Sequence, residues 1–272
     1  MPATMVVPQV SPAGRIAHLS WSGLSEYRMC PKRFYYHKIA GVQEERKSAS
    51  LIFGGAVHRA AERLHEAKIE GRKAPTMKSM MAEYDSAWAE EVKMGPEVVY
   101  PKSDSAESLR ATAVKMVTTY REHFSKQRGE IIAIEHETLI PLVPDTVPLK
   151  ARIDLVAVEG DSLVVDDLKT SKSRYSDAKV QESLPQLIVY SAAVSRMVRE
   201  LGLQRVRPRF TVLTKAATPV VQVVEPQASQ ADVIRLKELL SETAAAISKD
   251  VFPRREGWQC AQCPFAGKCL GR

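Results

Sequence analysis

The chain has 272 residues, of which 44% are hydrophobic, 26% charged and 6% aromatic, so it is long enough to bury a sizeable core. These proportions exclude a fibre, a disordered tail and a disulfide-rich miniprotein, and the uncharged stretches are too short for a membrane-spanning helix. Lys and Arg number 39 against 32 Asp and Glu, and the net charge of +7 favours a polyanionic partner without identifying one.

The N-terminal region predicts a flexible leader followed by a docking segment. Residues 1–18 have no Lys or Arg ahead of their apolar residues and no secretory pattern. Residues 19–38 predict a short helix that ends near Pro31, followed by cations interleaved with aromatic rings: Lys32, Arg33, Phe34, Tyr35, Tyr36 and Lys38. This segment could contact a single nucleic acid strand by charge and stacking. Alternatively, the rings belong to the core and the cations to its rim.

Helical periodicity dominates the next hundred residues. Three helices are predicted: one that starts at Gly54 and Gly55 and ends at Gly71, one over 76–94 and one over 104–128. Residues 72–128 therefore form a helical insertion.

The pattern then changes to β-strands. Residues 131–140, 149–158 and 162–169 predict a three-stranded meander with a turn at 159–161. A helix over about 183–201 with Pro185 in its first turn, strands at 208–214 and 219–224, and a helix over 229–249 follow. This order predicts an α/β fold with a mixed sheet flanked by helices. With no internal repeat or linker, one domain over 19–272 is the simplest organisation.

Two acids and a lysine are predicted to converge on neighbouring strands. Asp167 and Lys169 project from the same face of their strand, and Asp154 on the preceding strand can lie beside them. Close carboxylates are costly inside a sheet unless a cation holds them, so we expect Mg²⁺ or Mn²⁺ here. Lys169 would then orient a water or neutralise a phosphate oxygen. Taken alone, however, a D-x-K pattern is more often a salt bridge or a solvated edge.

Further polar residues accompany this group. His58, as a neutral imidazole, could be an additional metal ligand. Gln186 and Tyr190 lie four apart on one helical face and could touch a nucleotide, although each alone is more often a packing residue. A rival metal site can be drawn from His58, Glu62 and His65, but surface histidines on an amphipathic helix are the simpler interpretation.

Cysteines occur once near the start of the chain and three times near its end. Cys260, Cys263 and Cys269 form the pattern C-x2-C-x5-C, and Cys30 lies far upstream. In a chain without an export signal such a cluster indicates a metal rather than disulfides. Four thiolates suit either a structural zinc or an iron-sulfur cluster.

Taken in order, these motifs resemble a known family. They are G-x3-H ending at His58, an isolated Asp154, D-x-K at Asp167 and Lys169, and Q-x3-Y at Gln186 and Tyr190, framed by the four cysteines. The set resembles the RecB-like branch of the PD-(D/E)XK nucleases. Within that branch it is most similar to the iron-sulfur exonucleases typified by the CRISPR-associated RecB-like exonucleases and the AddB nuclease domain.

This resemblance implies a restriction-endonuclease-like core and a role for each motif residue. The metal ligands would be His58, Asp154, Asp167 and the Leu168 carbonyl, with Asp154, Asp167 and Lys169 catalytic. Gln186 and Tyr190 would support DNA contact. Glu135 would be an acid oriented toward the site, although Glu137 on the same strand face could replace it.

One departure from the family is Asp167 itself, where many relatives have Glu. The adjacent Asp166 is a competing carboxylate, but strand parity favours Asp167.

The resemblance also favours a 4Fe-4S cluster on Cys30, Cys260, Cys263 and Cys269, which would join the N- and C-terminal segments at about 27–38 and 258–272. A zinc-stabilised regulatory protein is the alternative, and it would be colourless rather than brown.

The implied function is a metal-dependent DNA exonuclease that prefers single strands or ends, in recombination, repair, phage DNA processing or CRISPR spacer acquisition. The alternative is a catalytically silent DNA-end-binding subunit of a larger complex. No phosphate-binding GKS or GKT loop occurs, so the chain is not expected to unwind duplex DNA by itself. The implied partner is a helicase, recombinase or integrase. The expected setting is the cytoplasm of a bacterial, archaeal or phage-infected cell, with no membrane association.

Overall fold

The computed structural model describes residues 16–93, 95–127 and 129–271. Residues 1–15 of the expected leader lie outside these ranges. The chain divides into two compact units, which we call the large unit and the small unit. The large unit comprises Glu44–His136 and Arg152–Gln227, and the small unit comprises Met1–Gln43, Glu137–Ala151 and Ala228–Arg272. The expected single domain over 19–272 stays a prediction.

The large unit combines a sheet with helices. Its elements are β2 Arg46–Ser48, α3 Ala49–Ile69, α4 Met77–Lys93, β3 Glu97–Val99, α5 Ala106–Phe124, β6 Ser162–Ser171, α6 Asp177–Ala193, α7 Ser195–Glu200, β7 Arg205–Thr214 and β8 Val221–Val224. Strands β4 Glu130–Ile140 and β5 Leu149–Glu159 each pass from one unit into the other.

The sheet of the large unit has the order β4-β5-β6-β7-β8. Strands β5 and β6 pair antiparallel, β6 and β7 parallel, and β7 and β8 antiparallel. The turn between β5 and β6 requires a left-handed backbone, and Gly160 supplies it with a φ of 63°. The predicted α/β class and mixed sheet with flanking helices are therefore confirmed.

Helices α3, α4 and α5 pack together in the large unit. Apolar residues at helical spacing on each of them are buried in one core, which includes Phe53, Val57, Met80, Tyr84 and Met116. Leu155, Leu168 and Leu213 of the sheet belong to the same core. Burying this apolar surface fixes α3 against the sheet and so fixes the side chains that α3 presents there.

Two helices begin earlier than the sequence predicts. Helix α3 begins at Ala49 because the Ser48 side chain caps it, so Gly54 and Gly55 lie inside the helix. Helix α6 begins at Asp177 behind a Ser176 cap, and Pro185 therefore lies in its interior rather than its first turn. The predictions were wrong here because a good cap outweighs a local helix breaker when the helix face is buried.

A small parallel sheet was not predicted. Strands β2 and β3 pair over three residues each, with Arg46 opposite Glu97. Such short strands show no readable alternation in sequence, since their pairing depends on residues fifty positions apart.

The small unit joins the two ends of the chain. It contains β1 Leu19–Ser20, α1 Trp21–Met29, α2 Pro31–Phe34, a π-helical turn Tyr35–Ile39, α8 Gln230–Ser248, a 3-10 turn Trp258–Gln262 and α9 Ala266–Leu270. The Tyr27 hydroxyl donates to the Val251 carbonyl at 2.6 Å, and the Lys32 amide donates to the Pro253 carbonyl at 3.2 Å. Phe34 is 1% exposed, and it packs against Tyr27 and Phe252.

That packing decides part of the question raised by residues 32–38. Tyr35 packs against Phe252, and Tyr36 against Phe265. Lys32 lies over both tyrosine rings. The rings therefore support the core of the small unit, with the cation on its rim.

Throughout the described residues, each helix is too short or too polar to cross a lipid bilayer.

Candidate active site

The β5–β6 hairpin of the large unit brings Asp154, Asp167 and Lys169 together. Its register pairs Leu155 with Asp166, and continuing it by one residue sets Asp154 opposite Asp167. The Asp154 carboxylate accepts a hydrogen bond from the Leu168 amide at 2.9 Å. The convergence expected from strand parity is present in the structure.

Asp167 lies at the centre of a buried hydrogen-bond network. Its Oδ2 atom is 2.5 Å from Lys169 Nζ, and its Oδ1 atom accepts from Gln186 Nε2 at 3.0 Å and from the Tyr190 hydroxyl at 3.2 Å. Gln186 also accepts from Lys169 Nζ at 2.9 Å. Gln186 and Tyr190 therefore orient the acid and the lysine.

This arrangement differs in part from the DNA contact expected of the Q-x3-Y pair. Tyr190 is only 6% exposed, so its hydroxyl serves Asp167 in this structure. DNA contact by Gln186 stays a prediction.

His58 approaches the same acids from helix α3. Its Nδ1 atom lies 3.4 Å from Asp154 Oδ2. Burial lowers the pKa of His58 to about 4, although the Asp167 charge and a backbone hydrogen bond with Leu168 oppose that shift. The imidazole is therefore neutral at physiological pH, which is the form that binds a metal.

The two acids and the lysine affect one another's ionisation. Burial raises the pKa of Asp154 well above its usual range, and the Asp167 charge raises it further. Burial alone would lower the pKa of Lys169, but the Asp167 carboxylate outweighs it and the pKa is raised. Lys169 is thus a fixed cation beside two acids that repel each other.

Glu135 lies at the same cleft through an unusual backbone conformation. Its φ is 47°, a left-handed value that is rare for a residue inside a strand. The side chain pairs with Arg152, and both residues line the cleft. Glu137 instead pairs with Lys150 at 2.8 Å. Of the two acids that the sequence left open, Glu135 is therefore the one placed at the site.

A cleft of about 830 Å³ opens onto these residues. Its lining includes His58, Asp154 and Lys169, together with charged residues that sequence reasoning did not assign to the site: Lys47, Arg59, Glu90, Glu91 and Arg152. Only Arg152 had a readable signal, because it precedes Asp154 by two residues on one strand face. Lys47 reaches the cleft from β2, Arg59 from α3, and Glu90 and Glu91 from α4.

Two alternatives from the sequence are resolved by their contacts. Asp166 points to the opposite face of β6, where Arg209 Nε donates to it at 2.9 Å and the Thr211 hydroxyl at 2.8 Å. His65 is 3% exposed and hydrogen-bonds the Tyr120 hydroxyl at 2.8 Å. It is not a surface histidine, so that interpretation was wrong. It also does not line the cleft with His58, in agreement with the rejection of the rival metal site.

The four cysteines lie together in the small unit. Cys30, Cys260, Cys263 and Cys269 all line one narrow cavity, which Arg33, Arg254 and Arg255 also line. Burial raises the pKa of the Cys263 thiol, whereas the nearby Arg33 lowers it. Across the described residues, however, no three His, Cys, Asp or Glu side chains are placed so as to hold a metal ion. This applies to the cysteines and also to His58, Asp154 and Asp167 at the hairpin.

The fold and the hairpin site define a class of protein: an α/β nuclease with paired acids and a lysine on adjacent strands. The sequence profile of the PD-(D/E)XK nuclease superfamily matches residues 18–270. The chain belongs to this superfamily. The narrower RecB-like assignment is compatible with the match and stays a prediction.

One solved structure has a similar fold. A candidate exonuclease from Eubacterium rectale has a TM-score of 0.57 and 13% identity, covering 91% of this chain and 87% of its own. Two others are SSO0001, with a TM-score of 0.33, 13% identity and coverage of 82% and 85%, and LHK-Exo in complex with dAMP, with a TM-score of 0.29, 14% identity and coverage of 72% and 92%. TM-scores this low do not establish a shared fold for the last two. None of the curated proteins compared matches this chain.

Proposed function

We propose that the protein is a metal-dependent DNA exonuclease that prefers single-stranded DNA or DNA ends. The observation that carries this proposal is the convergence of His58, Asp154, Asp167 and Lys169 at one cleft. Membership of a nuclease superfamily supports the reaction class. The preference for single strands or ends is part of the proposal.

A divalent cation such as Mg²⁺ or Mn²⁺ suits the donor set of this site. Two carboxylates and a neutral imidazole supply oxygen and nitrogen ligands. Asp167 Oδ2 is buried and lacks a hydrogen bond of good geometry, and Asp154 has a raised pKa beside it. A cation would relieve both conditions, with the Leu168 carbonyl and Glu135 as further oxygen donors.

Each residue of the site would have a different role in phosphodiester hydrolysis. A bound divalent cation would polarise the phosphate and lower the pKa of water. Lys169 would hold the attacking water or neutralise a phosphate oxygen, because Gln186 and Asp167 keep its ammonium group in place. Arg152, an exposed cation on the same strand face as Asp154, is suited to bind the phosphate of the DNA strand.

We further propose that the four cysteines bind a 4Fe-4S cluster. They line one cavity together with Arg33, Arg254 and Arg255.

The cluster proposal is tested on anaerobically purified protein. We expect a brown preparation with iron and sulfide, and loss of the visible absorption in Cys30→Ser as well as in Cys263→Ser. A colourless preparation that contains one zinc per chain would contradict the proposal.

The nuclease proposal is tested with linear and circular single-stranded DNA and with duplex DNA, each with Mg²⁺ or Mn²⁺. We expect shortening of linear single strands, slower attack on duplex and an intact circle. Cleavage of the circle would show an endonuclease. Binding without cleavage of any substrate would instead support the silent end-binding subunit.

The natural setting would be recombination, repair, phage DNA processing or CRISPR spacer acquisition, in the cytoplasm and with a helicase, recombinase or integrase partner.

A further inference from the structure

Trp258 is an exposed aromatic side chain in the small unit. It is 84% exposed, the largest value among the large hydrophobic side chains that the structure describes. An indole is among the most costly side chains to leave in water, and it gains much by covering its face. Such exposure leaves the indole face accessible to a partner.

The backbone beneath Trp258 is held in place. The Gln259 side chain donates to the Arg255 carbonyl at 2.9 Å, and the Cys260 amide donates to the Gly257 carbonyl at 3.0 Å. The indole is therefore mounted on a fixed turn, which limits the entropy lost on binding.

The segment that contains the turn carries a small excess of positive charge, although Arg254 pairs with Glu256. Residues 249–271 contain four Lys and Arg against two Asp and Glu. The Arg255 guanidinium donates to the Arg28 carbonyl at 2.6 Å, and among the described residues it forms no ion pair. A flat aromatic face beside cations matches a ligand with stacked rings and a phosphate backbone.

We propose that Trp258 is a stacking platform for single-stranded DNA, with Arg255 and Arg28 binding the adjacent phosphates. The choice of DNA rests on the proposed function, whereas the platform itself rests on exposure and charge. Because duplex bases are covered by their neighbours, the platform selects single strands over duplex.

The test measures binding of a labelled oligothymidylate without added divalent cation, so that no cleavage occurs. We expect Trp258→Ala to bind about tenfold more weakly, equal to about 1.4 kcal/mol. Trp258→Phe should retain most of the affinity because it keeps a ring. The matched control is Leu201→Ala, which removes another exposed apolar side chain, 50% exposed, from the large unit.

A second readout separates stacking from charge. The fluorescence of Trp258 should be quenched by the oligonucleotide, and Trp21→Phe together with Trp88→Phe should leave that quenching intact. The salt dependence of oligonucleotide affinity should stay unchanged in Trp258→Ala and should become weaker in Arg255→Gln.

Two results would overturn the proposal: unchanged affinity in Trp258→Ala, or equal loss of affinity for single-stranded and duplex DNA. Unchanged visible absorption and melting temperature in Trp258→Ala exclude damage to the small unit. If wild-type protein cuts no DNA but Trp258→Ala still loses single-strand affinity, the nuclease proposal fails and the platform stands.

Discussion

At the scale of single residues, the contacts of Gln186 distinguish two roles that its sequence motif allows. The amide bridges Lys169 and Asp167, and we expect from this a positioning role rather than direct DNA contact. We expect Gln186→Ala to lower kcat by about 10- to 100-fold, as loss of a supporting hydrogen bond at a metal site does, with KM for DNA unchanged. Steady-state kinetics check this against Gln204→Ala, an exposed glutamine. A raised KM with normal kcat would show that Gln186 contacts DNA.

Arg152 is the charged residue that the structure adds most clearly to the site. Its guanidinium pairs with Glu135 at the cleft, and we expect it to bind a DNA phosphate. Arg152→Ala should raise KM by about tenfold, with a smaller change in kcat and a shallower salt dependence of binding. Arg196→Ala, which removes an exposed arginine from α7, is the control. Unchanged KM and salt dependence would exclude this role.

At the scale of elements, helix α3 joins the active site to the core through two histidines with different environments. His58 faces the cleft, whereas His65 is buried against Tyr120 and Phe124. Burial lowers the pKa of His65 from 6.5 to about 3, and the nearby His58 contributes to the shift. As the pH decreases, His65 is protonated in the unfolded chain before it is protonated in the folded protein. The free energy of unfolding therefore falls as pH decreases from 6.5 toward 3.

His65→Gln should reduce that pH dependence while keeping a hydrogen bond to Tyr120. We expect the wild type to lose about 2 kcal/mol more than the variant between neutral pH and about pH 5. Chemical denaturation at several pH values measures the free energy of unfolding of both proteins. The contributions of other titrating groups are common to both and cancel in the difference. The same change of unfolding free energy with pH in both proteins would contradict this prediction.

The same scale shows what could be predicted from the sequence. Period-two alternation and the Gly160 turn placed Asp154 and Asp167 on facing strands, because the hairpin is local and its register follows from the turn. The start of α3, the interior position of Pro185 and the β2–β3 pairing were missed or wrong. Each depends on capping or on contacts with distant segments, which local periodicity does not report.

At the scale of the whole molecule, the small unit connects the beginning and the end of the chain. Cys30 and Cys260 are 230 positions apart in sequence but line the same cavity. A cluster bound there closes a very long loop, so its loading should stabilise the fold. We expect chelation or oxidation of the cluster to lower the melting temperature and single-strand affinity together. Unchanged values after complete loss of the visible absorption would contradict a structural role.

The central claim is that the hairpin acids and Lys169 form a metal-dependent nuclease centre. It is tested most directly by digestion of 5′-labelled and 3′-labelled single-stranded DNA with Mn²⁺ or Mg²⁺, comparing wild type with Lys169→Ala and with the exposed-lysine control Lys172→Ala. The account predicts metal-dependent cleavage by the wild type and the control and a loss of about 100-fold or more in Lys169→Ala, with DNA binding retained. Equal cleavage by Lys169→Ala, or intact DNA with every protein and either metal, would contradict it.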